Sequence, residues 1–202
     1  MKKLPLALGI GALTIGLALT GCTAESPTQT STTPSPSASA LSSTANLADE
    51  MFVMMMIPHH QQAIEMSDIV LAKDGLDPRI ADLAQQIKDA QGPEIERMLG
   101  WLDDWGVEYD PDAMGGMDHG SMGGSMDGMM SAEDLTALEN ADPAVAGRLF
   151  LEQMIMHHEG AVDMAQMALT DGQNPEVLAL AQQVIDDQTA EITEMQDLLA
   201  EL

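Results

Sequence analysis

FVMMMIPHHQQAIEMS, residues 52–67, and FLEQMIMHHEGAVDMA, residues 150–165, are two versions of one segment. At 100° per residue, Phe52, Met55, Met56, His59, Ala63 and Met66 fall on one face of a helix. Phe150, Gln153, Met154, His157, Ala161 and Met164 fall on the equivalent face 98 positions later. His60 and His158 lie about a quarter-turn away from their neighbours, with Met56 and Met154 one turn below them.

Beyond this segment the match continues with an offset of 97. Asp77-Pro78 aligns with Asn174-Pro175, and Leu83–Gln86 with Leu180–Gln183. Gln91, Glu94-Ile95 and Met98 align with Gln188, Glu191-Ile192 and Met195. A self-similarity of this length marks a duplicated structural unit. Within each unit, an Asx-Pro pair interrupts the apolar period and opens a second helix. The first unit predicts helices from about Asn46 to Lys73, ending at Asp74-Gly75, and from Asp77-Pro78 to about Trp105. The second predicts helices from Asp142-Pro143 to about Asp171-Gly172, and from Asn174-Pro175 to the end of the sequence. Ser131–Asp134 resembles the cap of a further short helix. No segment alternates like a strand. The expected fold is all-α: two tandem antiparallel hairpins that bury each other's apolar faces as a four-helix bundle.

The flanks read differently. Lys2 and Lys3 precede an apolar run, Leu4–Leu19, that is shorter than the ~20 residues of a membrane span and has the form of a secretory signal. The run ends at Leu19-Thr20-Gly21-Cys22, which resembles a bacterial lipobox, so Cys22 is the expected lipidation site and first mature residue. Residues 23–45 are Ser, Thr, Pro and Ala without apolar period, a tether of about 25–30 Å average span. The domain map is then 1–21 signal, 22–45 lipidated Cys and tether, 46–106 first hairpin, 107–131 Met/Gly-rich loop, and 132–202 second hairpin. The expected location is the outer face of the cell membrane, or its periplasmic side.

Cys22 is the only cysteine in the chain. A folded-region metal site is therefore built from His, Met, carboxylate or backbone. The formal net charge is -26, which excludes nucleic acid as a partner and concentrates cations. Eighteen methionines stand against 2% aromatic residues, so the core must be aliphatic and Met-rich.

Each unit carries both M-x-x-H and M-x-x-x-H, with Met55, Met56, Met66, His59 and His60 in the first, and Met154, Met164, His157 and His158 in the second. Thioether with imidazole suits Cu(I) and disfavours Mg, Ca and Mn. Zinc ordinarily recruits carboxylate or thiolate. A di-iron bundle site needs Glu-x-x-His, and the residues three before each His are Met56, Ile57, Gly116, Met154 and Ile155. The loop adds a second set: Met114, Met117, His119, Met122, Met126, Met129 and Met130, interleaved with Gly, Ser and Asp. A plain flexible linker does not require oxidisable Met. The competing reading of the helical set is a core-facing Met stripe with hydrogen-bonded histidines. Gln91 and Gln188 lie on apolar faces and need buried partners, for which the histidines are candidates. Pro58, where the second unit has Met156, is expected to kink its helix. Gln62 stands where the second unit has Gly160, so local packing is expected to differ between the halves. Neutral imidazole is the binding form, so a His site is expected to weaken below its reference pKa of about 6.5, while a Met-only site holds.

MMIPHHQQAIEMS and MIMHHEGAVDMA resemble the signature of the bacterial family called domain of unknown function 305, over about residues 48–200. The resemblance implies a ferritin-like shape, export and, in some members, a link to copper, carried here by His59, His60, His157, His158 and the neighbouring Met. The expected function is binding of Cu(I) or a similar soft ion, for sequestration or delivery at the cell envelope, with an envelope copper-handling protein as partner. One rival is a redox enzyme that uses a bound metal; another is a metal-free lipoprotein whose Met surface grips a partner. Nothing resembles a nucleophile triad or a phosphate loop.

Overall fold

The computed structural model describes residues 45–110 and 128–202. The signal segment, Cys22, nearly all of the tether, and Met114, Met117, His119, Met122 and Met126 lie outside the described residues. The described chain is all-helical: α1 is Leu47–Leu71, α2 Pro78–Trp105, α3 Ala132–Asn140, α4 Pro143–Asp171 and α5 Pro175–Glu201. Among the described residues there is no strand, and no helix is long and apolar enough to cross a membrane.

The helix starts follow from side chains that accept the otherwise orphaned backbone N–H groups of the first turn. Asn46 and Asp49 form a reciprocal capping box at α1, and Ser131 and Asp134 form another at α3. Asp77 accepts from the Arg79 N–H ahead of α2, and Asn174 from the Glu176 and Val177 N–H groups ahead of α5. In both cases proline occupies the first helical turn, where its missing donor costs nothing. α1 runs unbroken through Pro58, and α2 through Pro93.

Helix α1 packs along α2, α4 along α5, and α1 against α4; α3 rests on α1 and α4. The core is two apolar clusters, each drawing on all four long helices. The first joins Phe52, Met56 and Ile57 of α1 to Met98 and Leu102 of α2, Met164 of α4, and Leu180 and Val184 of α5. The second joins Met66 and Val70 to Ile80, Leu83, Ile87, Phe150, Met154 and Met195, with Leu138 of α3. Fully burying side chains of this size stabilises by about 1.5–3 kcal/mol each. Residues 59–60, 91–94, 157–158 and 188–191 fall between the two clusters on every long helix, so they form a polar layer across the middle.

Asp49 does more than cap. Its carboxylate is fully buried and also accepts the backbone N–H groups of Gln173 and Asn174, at 3.1 Å for the nearest oxygen in each case. The start of α1 is thereby stitched to the α4–α5 turn. The turn approaches closely because it carries glycine: a Cβ on Gly172 would lie 2.7 Å from Asp49 Oδ1.

Candidate metal centre

His59 and His60 sit at the middle of α1, and His157 and His158 at the middle of α4. All four are at most 1% exposed. The His59 and His157 rings, from equivalent positions of the two repeats, face each other with centroids 3.7 Å apart and planes inclined by 38°. His60 and His158 turn outward to acidic groups on the partner helices. His60 Nε2 lies 2.8 Å from Glu94 Oε2 of α2, and His158 Nε2 lies 2.6 Å from Glu191 Oε2 of α5. Glu94 is itself held by a hydrogen bond that Gln183 Nε2 donates to Oε1, at 2.9 Å. Gln86, the repeat equivalent of Gln183, bonds instead to the Asp82 carbonyl, so the two halves are not identical.

These contacts decide where protons sit. A carboxylate only accepts, so a neutral His60 or His158 ring carries its hydrogen on Nε2 and leaves the Nδ1 lone pair free. Neither Nδ1 has a hydrogen-bond partner among the described residues, and neither nitrogen of His59 or of His157 has one. Six buried ring nitrogens are therefore left over. Each unmade bond of this kind costs about 1–3 kcal/mol, and native cores leave few such groups. Burial, reinforced by repulsion from the neighbouring imidazoles, holds the pKa of His59 and of His157 well below 6.5. Both rings are thus neutral, lone-pair-bearing donors in a buried environment. A carboxylate on the far nitrogen of a histidine, orienting the ring and raising its basicity, is the usual support of a metal-ligating imidazole.

The methionines divide. Met56, Met66 and Met154 are fully buried and Met164 nearly so, while Met55 is half-buried. Met56 and Met164 belong to the first cluster, Met66 and Met154 to the second; Met56 and Met154 lie one turn before His59 and His157, Met66 and Met164 about two turns after them. No group of three or more His, Cys, Asp or Glu side chains forms a cage among the described residues. The donors on offer are therefore imidazole and thioether, the pairing that soft ions prefer.

Several expectations need correction. Gln91 and Gln188 do not pair with the histidines: both are buried, and the Oε1 of each lacks a partner among the described residues. Met130 is not an exposed loop residue but packs in the second cluster. Its backbone is clamped by Gln62, which donates Nε2 to the Met130 carbonyl at 2.9 Å and accepts the Met130 N–H at 2.7 Å. Met129 is half-buried beside it. Gly160, the counterpart of Gln62, takes part in the same docking. A Cβ on Gly128 would lie 3.1 Å from Gly160 Cα and 2.6 Å from the Met156 carbonyl, and Gly128 has φ of +94°. The asymmetry between Gln62 and Gly160 thus seats the end of the loop beside the polar layer. Burial also lowers the pH at which His59 and His157 would take up protons, below the reference value assumed from sequence. Glu94 and Glu191 were the residues missed. The signal for them was an acid repeated on the same face as Gln91 and Met98 in both units.

The family model described as domain of unknown function (DUF305) matches residues 49–199. The fold is similar to that of a DUF305 protein of Streptomyces coelicolor described as secreted, with TM-score 0.68 and 33% identity, covering 76% of this chain and 91% of that one. A DUF305 fragment from Deinococcus radiodurans gives TM-score 0.66 at 30% identity, covering 78% and 99%. CopM in its Cu(I)-bound form gives TM-score 0.61 at 33% identity, covering 76% and 96%. CopM has also been seen in Cu(II)-bound, silver-bound and metal-free forms. No curated protein matches.

Proposed function

This chain belongs to the DUF305 family, and from that premise we propose that it binds Cu(I), or a comparably soft monovalent ion, in the polar layer between its two apolar clusters. The observation that carries this reading is the set of six buried ring nitrogens without partners, two of them on rings whose far nitrogen is already committed to Glu94 or Glu191. Inward-facing His59 and His157, the Nδ1 atoms of His60 and His158, and the thioethers of Met56, Met66, Met154 and Met164 are the candidate donors. The four long helices are read as a four-helix bundle of two tandem hairpins, with the cargo where the halves meet.

The rest of the chain fits a binding role at the envelope. The signal over residues 1–21, lipidation at Cys22 and the Ser/Thr/Pro tether would hold the domain on the outer face of the membrane. The similarity to a secreted relative supports export. Met114, Met117, His119, Met122, Met126 and Met129 form a second soft-ion set, and the ion is passed to or from an envelope copper-handling partner. Sequestration or delivery suits the site better than turnover, because the layer is closed to solvent on all four histidines and catalysis at a metal needs an open position.

The test compares Cu(I) and Zn(II) under matched chelator competition for the wild type and for His59→Leu/His157→Leu. Strong preference for Cu(I), lost in the variant, is expected. Equal or tighter Zn(II) binding, or undiminished Cu(I) affinity in the variant, overturns the assignment. Leucine fills similar space, and the rings it replaces make no hydrogen bonds, so the metal-free variant should be no less stable than the wild type in urea.

A further inference from the structure

Four methionines line one cleft beside the first half of α1, and one of them, Met164, is also among the candidate donors of the polar layer. Between the first half of α1 and the last turns of α4 lies a hollow of about 180 Å³, walled by Met51, Met55, Met164 and Met167 together with Phe52, with Asp171 at its edge. Met51 and Met55 are one turn apart on α1, and Met164 and Met167 one turn apart on α4. Met51 is 44% and Met167 46% exposed, whereas Met164 is 4% exposed. The thioethers therefore run from the surface inward, along the faces that lead to His59 and His157. Asp171 supplies the one formal charge among the lining groups.

The internal repeat supplies a control for whether packing alone demands these residues. Displaced by 98 positions, Met51, Met55, Met164 and Met167 correspond to Leu149, Gln153, Met66 and Ile69. The other half of the molecule thus fills the same places with a single methionine. Its groove is also closed: α3 lies across α1 and α4 there, with Leu138 and Leu135 in the apolar cluster and Gln153 donating to the Asp134 carbonyl at 3.3 Å. One end is sealed with ordinary aliphatic packing, and the other concentrates thioethers around a hollow with two of them reaching solvent. Leucine or isoleucine would bury as much apolar area without the oxidation hazard. What methionine adds is a soft, neutral sulfur donor.

We propose that this cleft is a second, surface-accessible site for a soft monovalent cation, held by the thioethers of Met51, Met55, Met164 and Met167. It rests on the same soft-ion reading as the polar layer but uses none of the histidines. The probe is Ag(I), added to the full chain in detergent micelles with the methionine methyl groups labelled with ¹³C. Resonances are assigned by single Met→Leu substitutions. With His59 and His157 both replaced by Leu, so that the buried pair is gone, substoichiometric Ag(I) should still shift the four cleft methyl signals together. Met51→Leu/Met167→Leu changes only exposed side chains and should fold normally; it should weaken binding at this site at least ten-fold and leave the loading of the histidine layer intact. Cleft signals that stay unmoved while Ag(I) binds elsewhere overturn the proposal. So does an unchanged cleft affinity in Met51→Leu/Met167→Leu. Cleft signals that answer to an added protein or peptide and not to Ag(I) would instead mark a docking groove. Failure of the histidine reading appears separately, as unchanged total binding when His59 and His157 are replaced.

Discussion

Glu94 of α2 reaches His60 of α1 with Oε2 at 2.8 Å from Nε2, and thereby fixes which nitrogen of that ring faces the interior as a lone pair. The contact crosses from one helix of the repeat to the other. It recurs between Glu191 and His158 at 2.6 Å. A buried carboxylate needs polar partners, and this one has His60 Nε2 on one oxygen and Gln183 Nε2 on the other.

Replacing that acid tests the point. Glu94→Gln keeps the shape of the side chain and removes the carboxylate that faces His60 Nε2 and orients the ring. Cu(I) affinity is expected to fall about ten- to a hundred-fold, the usual cost of losing a group that supports a metal ligand. Helicity should be retained. Chelator competition beside circular dichroism makes the measurement, and an unchanged affinity would falsify the supporting role of Glu94.

The metal-free protein should become less stable in acid because of two rings. His59 and His157 have folded-state pKa values well below 6.5, while in the unfolded chain both return to about 6.5. Below about pH 6.5 the unfolded state therefore takes up protons that the folded state refuses, and stability falls with pH until the folded pKa values are reached. Many carboxylates act in the opposite sense, since their protonation relieves the repulsion of a highly acidic chain. The measurement is thus a difference. Urea unfolding of the wild type between pH 7.5 and 5 should lose stability relative to His59→Leu/His157→Leu, and parallel curves would show that these rings do not titrate as described. By the same shift, Cu(I) binding at the layer should persist below pH 6.5.

The docked end of the loop offers a third measurement. Gly128 has φ of +94° and no room for a Cβ against the Met156 carbonyl. Gly128→Ala should cost more than about 1 kcal/mol, since alanine is strained at positive φ. It should also expose Met130 to peroxide, read as faster sulfoxide formation by mass spectrometry. Replacing Met130 itself should destabilise, whereas replacing Met114, Met117, His119, Met122 and Met126 should lower copper capacity and leave the melting temperature unchanged. A wild-type oxidation rate at Met130 in Gly128→Ala would place the clamp elsewhere than in the Gln62 and Gly128 contacts.

What could be read from the sequence depended on how local the cause was. The helix starts at Asn46, Asp77, Ser131 and Asn174 were legible because capping and proline act within one turn. The inward histidines were legible because helical period and repetition coincide at them. Glu94 and Glu191 were aligned by the repeat, but their purpose depends on the register of α2 on α1 and of α5 on α4, and no local rule sets that. Met130 looked like loop because glycine surrounds it, and its burial is decided by Gln62, 68 positions away. The difference between Gln62 and Gly160 was visible as a break in the repeat. Only the packed structure shows that both sides of the break serve one contact.

His59 and His157 occupy equivalent positions of two similar sequence segments, and their ring centroids lie 3.7 Å apart. In a symmetric pair of identical chains, a residue meets its own counterpart only on the two-fold axis. The facing imidazoles therefore mark where such an axis would run if the two halves were separate molecules. Two identical segments meeting there would present each donor twice from one coded residue. Carried in one chain, the two segments need not be identical. One carries Gln62 and the other Gly160, and only one end lines a cleft with four methionines. The two halves thus differ around a centre where equivalent rings meet face to face.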